Sequence, residues 1–212
     1  MADHGAGRPP LVVGLTGGIA SGKSAVAAMF VALGAGLVDT DAVAREVVAP
    51  GTPGLAAVRA AFGTQVLLSS GELDRAALRG LVFGDDAKRQ QLESLLHPLI
   101  RARTLAKLAE VGTPYAIVAV PLLVETDFRQ LVDRVLVVDC PEHLQLERLM
   151  KRDAIPRPDA LAMLRAQADR ATRLQAAHDV IDNSGTREAT RTQVDLLHRR
   201  YLEHAAQAAR RA

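Results

Sequence analysis

Residues 17–24 of this chain read Gly17-Gly18-Ile19-Ala20-Ser21-Gly22-Lys23-Ser24. They match the pattern G-x-x-x-x-G-K-[ST], in which a glycine-rich loop turns its backbone N–H groups toward phosphate oxygens. The apolar run at residues 11–16 predicts a buried strand before the loop, and residues 25–33 predict a helix after it. Because the pattern requires this strand–loop–helix context, we interpret the stretch as a phosphate-binding loop and disfavour a chance glycine-rich turn.

The residue types of the loop fit the chemistry of a nucleotide. The Lys23 ammonium would reach the outer phosphates, the Ser24 hydroxyl would hold Mg²⁺, and the helix start adds a partial positive charge. A GTPase would also carry an Asn-Lys-x-Asp motif, but the only asparagine is Asn183 and no lysine follows it. The residues predicted to bind ATP in this region are Gly17, Gly18, Ala20, Ser21, Gly22, Lys23, Ser24 and Ala25.

Composition argues against nucleic acid as a partner. The formal net charge is only +2, although the calculated pI is 9.0. Aromatic residues make up 3% of the chain and tryptophan is absent, so little material exists for stacking on single strands. The basic residues near the C-terminus are more typical of a solvated helix face than of a binding patch.

The sequence also predicts a cytoplasmic protein. No apolar run approaches the ~20 residues that a membrane span needs, and residues 1–10 are polar, unlike a signal peptide. The single cysteine, Cys140, excludes an internal disulfide. We expect residues 1–10 to form a flexible tail.

Short apolar runs alternate with helical patterns, which predicts an α/β fold with a five-stranded parallel sheet and helices on both faces. The runs lie at residues 11–16, 36–38, 115–120, 134–138 and 179–182. The segment 42–112 is too long for a simple crossover, and we interpret it as a helical insertion that builds a substrate site. The Pro-rich stretch 153–159 interrupts two helices and predicts a mobile lid, and 187–212 predicts one long amphipathic helix.

Two carboxylates follow the second strand, in the stretch Asp39-Thr40-Asp41. Ligands of open parallel sheets bind beyond the carboxyl ends of the strands, so we expect Asp39 and Asp41 near the outer phosphate. There a carboxylate could accept a proton from a substrate hydroxyl or help to place the metal. Alternatively, Asp41 is a helix N-cap. Arg45, one turn later, could bind a substrate phosphate or pair with Asp41 on the surface.

Two arginines precede the Pro-rich stretch 153–159. Arg148 and Arg152 are four residues apart and share a helix face, and Arg152 adjoins the Pro-rich loop. A lid arginine that closes over the transferred phosphoryl group stabilises its charge, whereas the alternative is a solvated basic face.

The evidence for a functional role is weaker at Cys140 and His97. We interpret the Cys140 thiol as structural, and His97 before Pro98 is consistent with the end of a helix.

Taken together, these motifs resemble those of the dephospho-coenzyme A kinase family over nearly the whole chain, from Val12 to about Leu197. The phosphate loop is shared by many families, but the combination of the later motifs is specific. The matching pieces, in order, are Gly14–Ser24 with the loop, Asp39-Thr40-Asp41 with Ala44-Arg45, Phe62-Gly63, Gly71-Glu72-Leu73-Asp74-Arg75 with Leu78, Leu92-Glu93 with Leu96-His97-Pro98, Pro121-Leu122-Leu123-Val124-Glu125, Gln145 with Arg148 and Arg152, Arg165 with Gln167, and Asp182-Asn183-Ser184-Gly185. One small departure is Ala20, where the family usually has glycine.

The resemblance implies ATP-dependent phosphorylation of the ribose 3′-hydroxyl of dephospho-CoA, which gives CoA and ADP in the last step of CoA biosynthesis. It implies a P-loop kinase core at residues 11–41 and 113–209, a helical CoA-binding insertion at 42–112 and a lid at 148–165, within one domain at 11–209. The partners are then ATP and dephospho-CoA, with Mg²⁺, in a monomer or weak homo-oligomer.

The same resemblance implies roles for individual residues. The catalytic residues are Lys23, Asp41 as the base and Arg152 in the lid. Arg148 and Asn183 join the ATP-binding set, and Ser24 is the metal ligand. The residues that bind dephospho-CoA are Asp39, Arg45, Arg75, His97, Leu123 and Glu125.

Two other functions use the same loop. A nucleoside or nucleotide kinase would share the core, but the His97-Pro98 and Leu73-Asp74-Arg75 elements disfavour it. A regulatory or RNA-binding module would hold ATP without transferring phosphate, and the presence of Lys23, Ser24 and Asp41 argues against that reading.

Overall fold

All five predicted strands form one parallel sheet in a computed structural model that describes Pro9 and residues 11–211. Apart from Pro9, the predicted N-terminal tail lies outside the described residues. The strand order is β2-β3-β1-β4-β5, with β1 at the centre. The strands are β1 Leu11–Gly17, β2 Gly36–Asp39, β3 Tyr115–Ala119, β4 Arg134–Asp139 and β5 Asp179–Asp182.

Every residue of β1 and β3 is buried, so both faces of the sheet centre are covered. This explains why these strands are continuously apolar instead of alternating. The prediction of an α/β fold with a parallel sheet is confirmed. The helices are α1 Lys23–Ala32, α2 Thr40–Glu46, α3 Pro53–Phe62, α4 Arg75–Val82, α5 Asp86–Glu110, α6 Glu142–Asp153, α7 Arg157–Arg165, α8 Arg170–Ala176 and α9 Arg187–Ala209, with short 3₁₀ segments at Thr64–Val66 and Asp127–Leu131.

The chain divides into two compact units. One contains the sheet and takes in the described residues up to Asp39 and from Leu108 onward; the other is the helical segment Thr40–Lys107. No helix within the described part of the chain is long and apolar enough to cross a membrane.

One face of the sheet packs against α1 and α9. Phe30 of α1 and Tyr201 of α9 are fully buried, with ring centroids 6.0 Å apart, and Tyr115 of β3 contacts Tyr201 edge-on at 5.6 Å. Buried aromatic residues contribute much of the packing energy of a core. The long C-terminal helix therefore belongs to the core that supports the central strand.

The helical unit has its own apolar cluster, which includes Val58, Phe62 and Leu78 with side chains of α5 such as Leu95. Helix α5 runs without a break through Pro98, so the interpretation of His97-Pro98 as the end of a helix is wrong. A proline inside a helix removes one backbone hydrogen bond, but tertiary packing can offset that cost. Leucines on the turn before Pro98 pack into the cluster and keep α5 continuous.

An ion-pair network fixes α9 to the sheet. The buried carboxylate of Asp179 accepts hydrogen bonds from Arg134 Nε at 3.0 Å, Tyr201 Oη at 3.0 Å and Arg200 Nη1 at 3.2 Å. Burial alone would raise the pKa of Asp179, but the hydrogen bonds from Arg134 and Tyr201 and the nearby charges lower it below its ordinary value of 3.8.

We expect Asp179→Asn to reduce the free energy of unfolding by about 2 kcal/mol at pH 7, because it leaves two guanidinium groups without their charged acceptor. Since the folded pKa of Asp179 is depressed, its stabilising effect is complete above the unfolded value of 3.8 and declines as the pH falls through the lower folded pKa. Urea titrations between pH 3 and 7 measure this, with Glu203→Gln, an exposed carboxylate on α9, as the control. A difference from wild type that stays constant down to pH 3 would contradict the assignment.

Candidate functional site: the phosphate loop

The phosphate loop connects the central strand to α1. Strand β1 ends at Gly17 and α1 begins at Lys23, and the loop closes on itself through Ser21 N, which donates to Gly18 O at 3.0 Å. Gly22 has φ 98°, and a Cβ there would collide with the side-chain nitrogen of Asn183. Only glycine can adopt this φ without strain and also leave room for the Asn183 side chain. This explains why the motif has its second glycine at this position.

Ala20, at the tip of the loop, also has a left-handed backbone, with φ 58°. For a residue with a Cβ this conformation costs about 1 kcal/mol and persists only where the surroundings hold it. Ile19 and Ala20 pack against an apolar cluster of α6 and α7 that contains Leu149 and Ala160. The loop is therefore supported from outside by the two helices that precede and form the predicted lid.

The N-terminus of α1 carries the groups predicted to meet ATP. Lys23, Ser24 and Ala25 are its first three residues; Ser24 and Ala25 are exposed and Lys23 is half-buried. Backbone N–H groups of a first helical turn have no partner within the helix and favour anions.

The donor set at this helix start is consistent with Mg²⁺. The exposed Ser24 hydroxyl offers an oxygen ligand, and within the described residues no cluster of three or more His, Cys, Asp or Glu side chains could form a separate metal cage. Mg²⁺ is commonly held by one or two protein oxygens together with substrate phosphates, so a single hydroxyl next to a phosphate loop fits that mode of binding.

Asn183 and Arg148, both predicted to bind ATP, lie at the side of the loop. Asn183 donates through Nδ2 to Ser21 O at 2.7 Å, and its Oδ1 accepts from Thr190 Oγ1 at 2.8 Å. Arg148 Nη2 donates to Asn183 O at 2.9 Å. The structure therefore links these residues to the C-terminal half of the loop.

Three further residues contact the N-terminal half of the loop and were not among the predicted site residues. Gln167 Oε1 accepts from Ile19 N at 2.8 Å. A Cβ added to Gly18 would lie 2.5 Å from Gln145 Nε2 and 2.7 Å from Arg173 Nη2, so both side chains approach the loop backbone closely here. Gln145 and Arg173 are buried. Gln145 and Gln167 appear within the family resemblance, but nothing in residue type or spacing assigns them to the loop.

Asp139 is the last residue of β4, and its carboxylate accepts a bidentate pair of hydrogen bonds from Arg170. Arg170 Nη2 lies 2.6 Å from Asp139 Oδ2. The next residue is the buried, free Cys140. Burial raises the pKa of the Cys140 thiol, so it stays protonated at neutral pH. This agrees with its interpretation as a structural thiol.

The predicted acidic pair lies at the end of β2 and the start of α2. Asp39 is the last residue of β2 and is exposed; it is in register with Ala119 of β3, which is in turn in register with Leu15 of β1. Asp39 therefore lies at the same carboxyl edge of the sheet as the phosphate loop. Asp41 and Arg45 occupy the first and last turns of α2 and are also exposed.

The remaining substrate-site predictions fall in different settings. Arg75 is the exposed first residue of α4, and His97 is half-buried within α5. Glu125 follows β3, and its Oε1 accepts from Ala168 N at 3.0 Å. Leu123 is fully buried beneath Gly14, which gives its side chain a packing role in the core. In this conformation neither the side chain nor the main chain of Leu123 is accessible to a substrate.

Arg152 lies near the end of α6, before the turn at Ala154 that separates α6 from α7. Its side chain is 56% exposed and donates two hydrogen bonds to the Asp153 carboxylate, of 2.7 and 2.8 Å. The hydrogen bonds that Arg152 donates to the Asp153 carboxylate raise the pKa of Arg152, so the guanidinium is fully charged. In this conformation Arg152 is paired with its neighbour in sequence.

A phosphate loop at the end of the central strand, in a parallel sheet ordered β2-β3-β1-β4-β5, defines a P-loop kinase. Residues 11–188 match the family model described as "CoaE: Dephospho-CoA kinase". The chain is 50% identical over 195 residues to the dephospho-CoA kinase of Thiobacillus denitrificans, covering 92% of this chain and 96% of the relative. The chain belongs to the dephospho-CoA kinase family.

Solved structures agree with this assignment. TT1252 from Thermus thermophilus is similar with a TM-score of 0.78 and 31% identity, covering 91% of this chain and 98% of that one. The dephospho-CoA kinase from Campylobacter jejuni is similar with a TM-score of 0.63 and 25% identity, covering 90% and 96%.

Proposed function

We propose that this enzyme transfers the γ-phosphoryl group of ATP to the ribose 3′-hydroxyl of dephospho-CoA, giving CoA and ADP in the final step of CoA biosynthesis. The observation that carries the proposal is the complete phosphate loop at the end of β1, with Lys23 and Ser24 on the first turn of α1, in a chain of this family. Phosphoryl transfer depends on positioning and charge stabilisation, which this arrangement can supply.

The loop residues would act on the nucleotide. Backbone N–H groups of the loop and of the first turn of α1 bind the phosphates, and the Lys23 ammonium stabilises charge on the outer ones. The Ser24 hydroxyl would hold Mg²⁺, which would neutralise part of the negative charge on the phosphates. Asn183 and Arg148 keep the side of this loop in place.

The acceptor, dephospho-CoA, would be bound by residues outside the phosphate loop. Asp41 orients the attacking hydroxyl and accepts its proton, and Asp39, Arg45, Arg75, His97 and Glu125 contribute to binding dephospho-CoA. In this proposal the helical segment 42–112 is the substrate-binding insertion and residues 148–165 are the lid. Exposed arginines on α2 and α4 support this, because the acceptor carries phosphate groups.

We further propose that the enzyme works in the cytoplasm as a monomer or weak homo-oligomer. Its one cysteine is buried and free, which fits a compartment where thiols stay reduced.

The decisive experiment incubates the protein with Mg-ATP and dephospho-CoA and detects CoA by mass spectrometry. We expect CoA and ADP in equal amounts, dependent on both substrates and on added Mg²⁺. A panel containing adenosine, AMP and other nucleosides tests the alternative nucleoside or nucleotide kinase. Phosphorylation of a panel member in place of dephospho-CoA would contradict the proposal, and ATP binding without any transfer would favour a regulatory module.

We expect Arg152→Ala to lower kcat by about 10²-fold or more, with an equal fall in kcat/KM. A lid arginine that closes onto the reacting phosphoryl group contacts charge that develops in the transition state. The measurement is steady-state kinetics with Lys151→Ala, an exposed neighbour on α6, as the matched control. A rise in KM for ATP with unchanged kcat would mean that Arg152 binds the ground state only.

A further inference from the structure

The tip of the phosphate loop is held at two points. Ala20 has the left-handed backbone, and the residues on either side of it are each hydrogen-bonded to a side chain from outside the loop. Gln167 accepts from Ile19 N at 2.8 Å, and Asn183 donates to Ser21 O at 2.7 Å. A strained conformation persists where its surroundings over-determine it, and these two hydrogen bonds supply that restraint.

Gln167 is itself fixed by the short segment that joins α7 to α8. The next residue, Ala168, donates its N–H to Glu125 Oε1 at 3.0 Å, and its carbonyl accepts from Nη1 of the buried Arg173. Both backbone groups of Ala168 are thus bound to side chains from elsewhere in the fold. The carbonyl of the Gln167 side chain is therefore presented to Ile19 from a rigid base.

The same segment connects the loop to the lid. Gln167 lies two residues after the end of α7 at Arg165, and Ile19 and Ala20 pack on the apolar cluster of α6 and α7. A displacement of α7 would therefore reach Ile19 both through that packing and through the Gln167 hydrogen bond. Glutamine suits this position, because its neutral amide oxygen can accept from the Ile19 N–H without placing a negative charge beside the phosphates.

We propose that Gln167 is a positioning residue that holds Ile19, and through it the left-handed turn at Ala20, in the conformation that receives the phosphates of ATP. It acts on the backbone of the loop and does not contact the reacting atoms. The part that concerns turnover rests on the proposed function, whereas the part that concerns the loop can be measured without any substrate.

The test compares Gln167→Met, which keeps the length of the side chain but has no strong acceptor, with Gln167→Glu, which keeps an acceptor oxygen. Amide hydrogen exchange of Ile19 is measured in the protein without nucleotide. We expect exchange at Ile19 to be about tenfold faster in Q167M, because Gln167 lines a pocket of about 250 Å³ from which water can reach the freed N–H. Q167E should retain the protection.

Kinetics provide the second readout. We expect Q167M to lower kcat about tenfold with an unchanged KM for dephospho-CoA, and Q167E to raise KM for ATP through its added negative charge. Gln175→Met, at an exposed glutamine on α8, is the matched control and should alter neither exchange nor kinetics.

Two results would overturn the proposal. One is exchange at Ile19 in Q167M that is unchanged, or that rises only in proportion to exchange at Leu15 in β1, since a general loss of stability affects both. The other is faster exchange at Ile19 with normal kcat, which would show that the hydrogen bond has no part in turnover. If dephospho-CoA is not the substrate, the exchange result at Ile19 still decides whether Gln167 positions the loop.

Discussion

Replacing Lys23 with alanine is expected to lower kcat by about 10³-fold or more while the protein remains folded. In the proposed function the ammonium is a point charge that stabilises the outer phosphates, and no neighbouring residue of the loop carries a positive charge that could replace it. Lys23 is half-buried at the first position of α1 and is not part of the apolar core, so alanine, a strong helix former, should preserve the fold. The measurement is CoA formation together with thermal unfolding.

Two further variants sharpen this test. Lys23→Arg keeps the charge but replaces a compact ammonium with a planar fork, so we expect it to recover only a small part of the lost rate. Lys88→Ala removes an exposed lysine that pairs with Asp85 in the helical unit and should leave turnover unchanged. A folded Lys23→Ala enzyme with a near-normal rate would remove the phosphate loop from the mechanism.

The sheet could be predicted because its signals are local. Strands such as β1 and β4 are continuous apolar runs bounded by turn residues, and the phosphate loop fixes the strand before it and the helix after it. The start of α3 also carries a local signal, because Thr52 caps the helix by accepting from Leu55 N and Pro53 is its first residue.

Long-range contacts could not be predicted in this way. The continuity of α5 through Pro98 depends on leucines that pack into a cluster formed by other helices. Gln167 is 148 positions from Ile19 along the chain, so no spacing rule connects them. Leu123 was expected at the substrate on the strength of its motif, but its burial under Gly14 depends on the packing of the sheet.

Outside the phosphate loop, the residue that we expect to affect turnover most is the proton acceptor, and we assign this role to Asp41. A ribose hydroxyl is a weak nucleophile, but a loose phosphoryl-transfer transition state needs little basicity until late in the reaction. The carboxylate is then valuable both for orienting the hydroxyl and for taking its proton. Asp41 is exposed on the first turn of α2 and does not contribute to the apolar core of its unit.

We expect Asp41→Asn to lower kcat by about 10²–10⁴-fold, the usual range for a positioned acid or base. Asparagine keeps the shape and one hydrogen-bonding oxygen, so binding of dephospho-CoA without ATP should change little, as measured by calorimetry. Asp39→Asn is the matched comparison: if Asp39 binds the acceptor, its loss raises KM for dephospho-CoA more than it lowers kcat. Near-wild-type turnover of Asp41→Asn would leave Asp41 with a structural role in α2. A defect that raised Mg²⁺ repairs would instead make Asp41 a residue that positions the metal, because a general base cannot be replaced by a higher concentration of the cation.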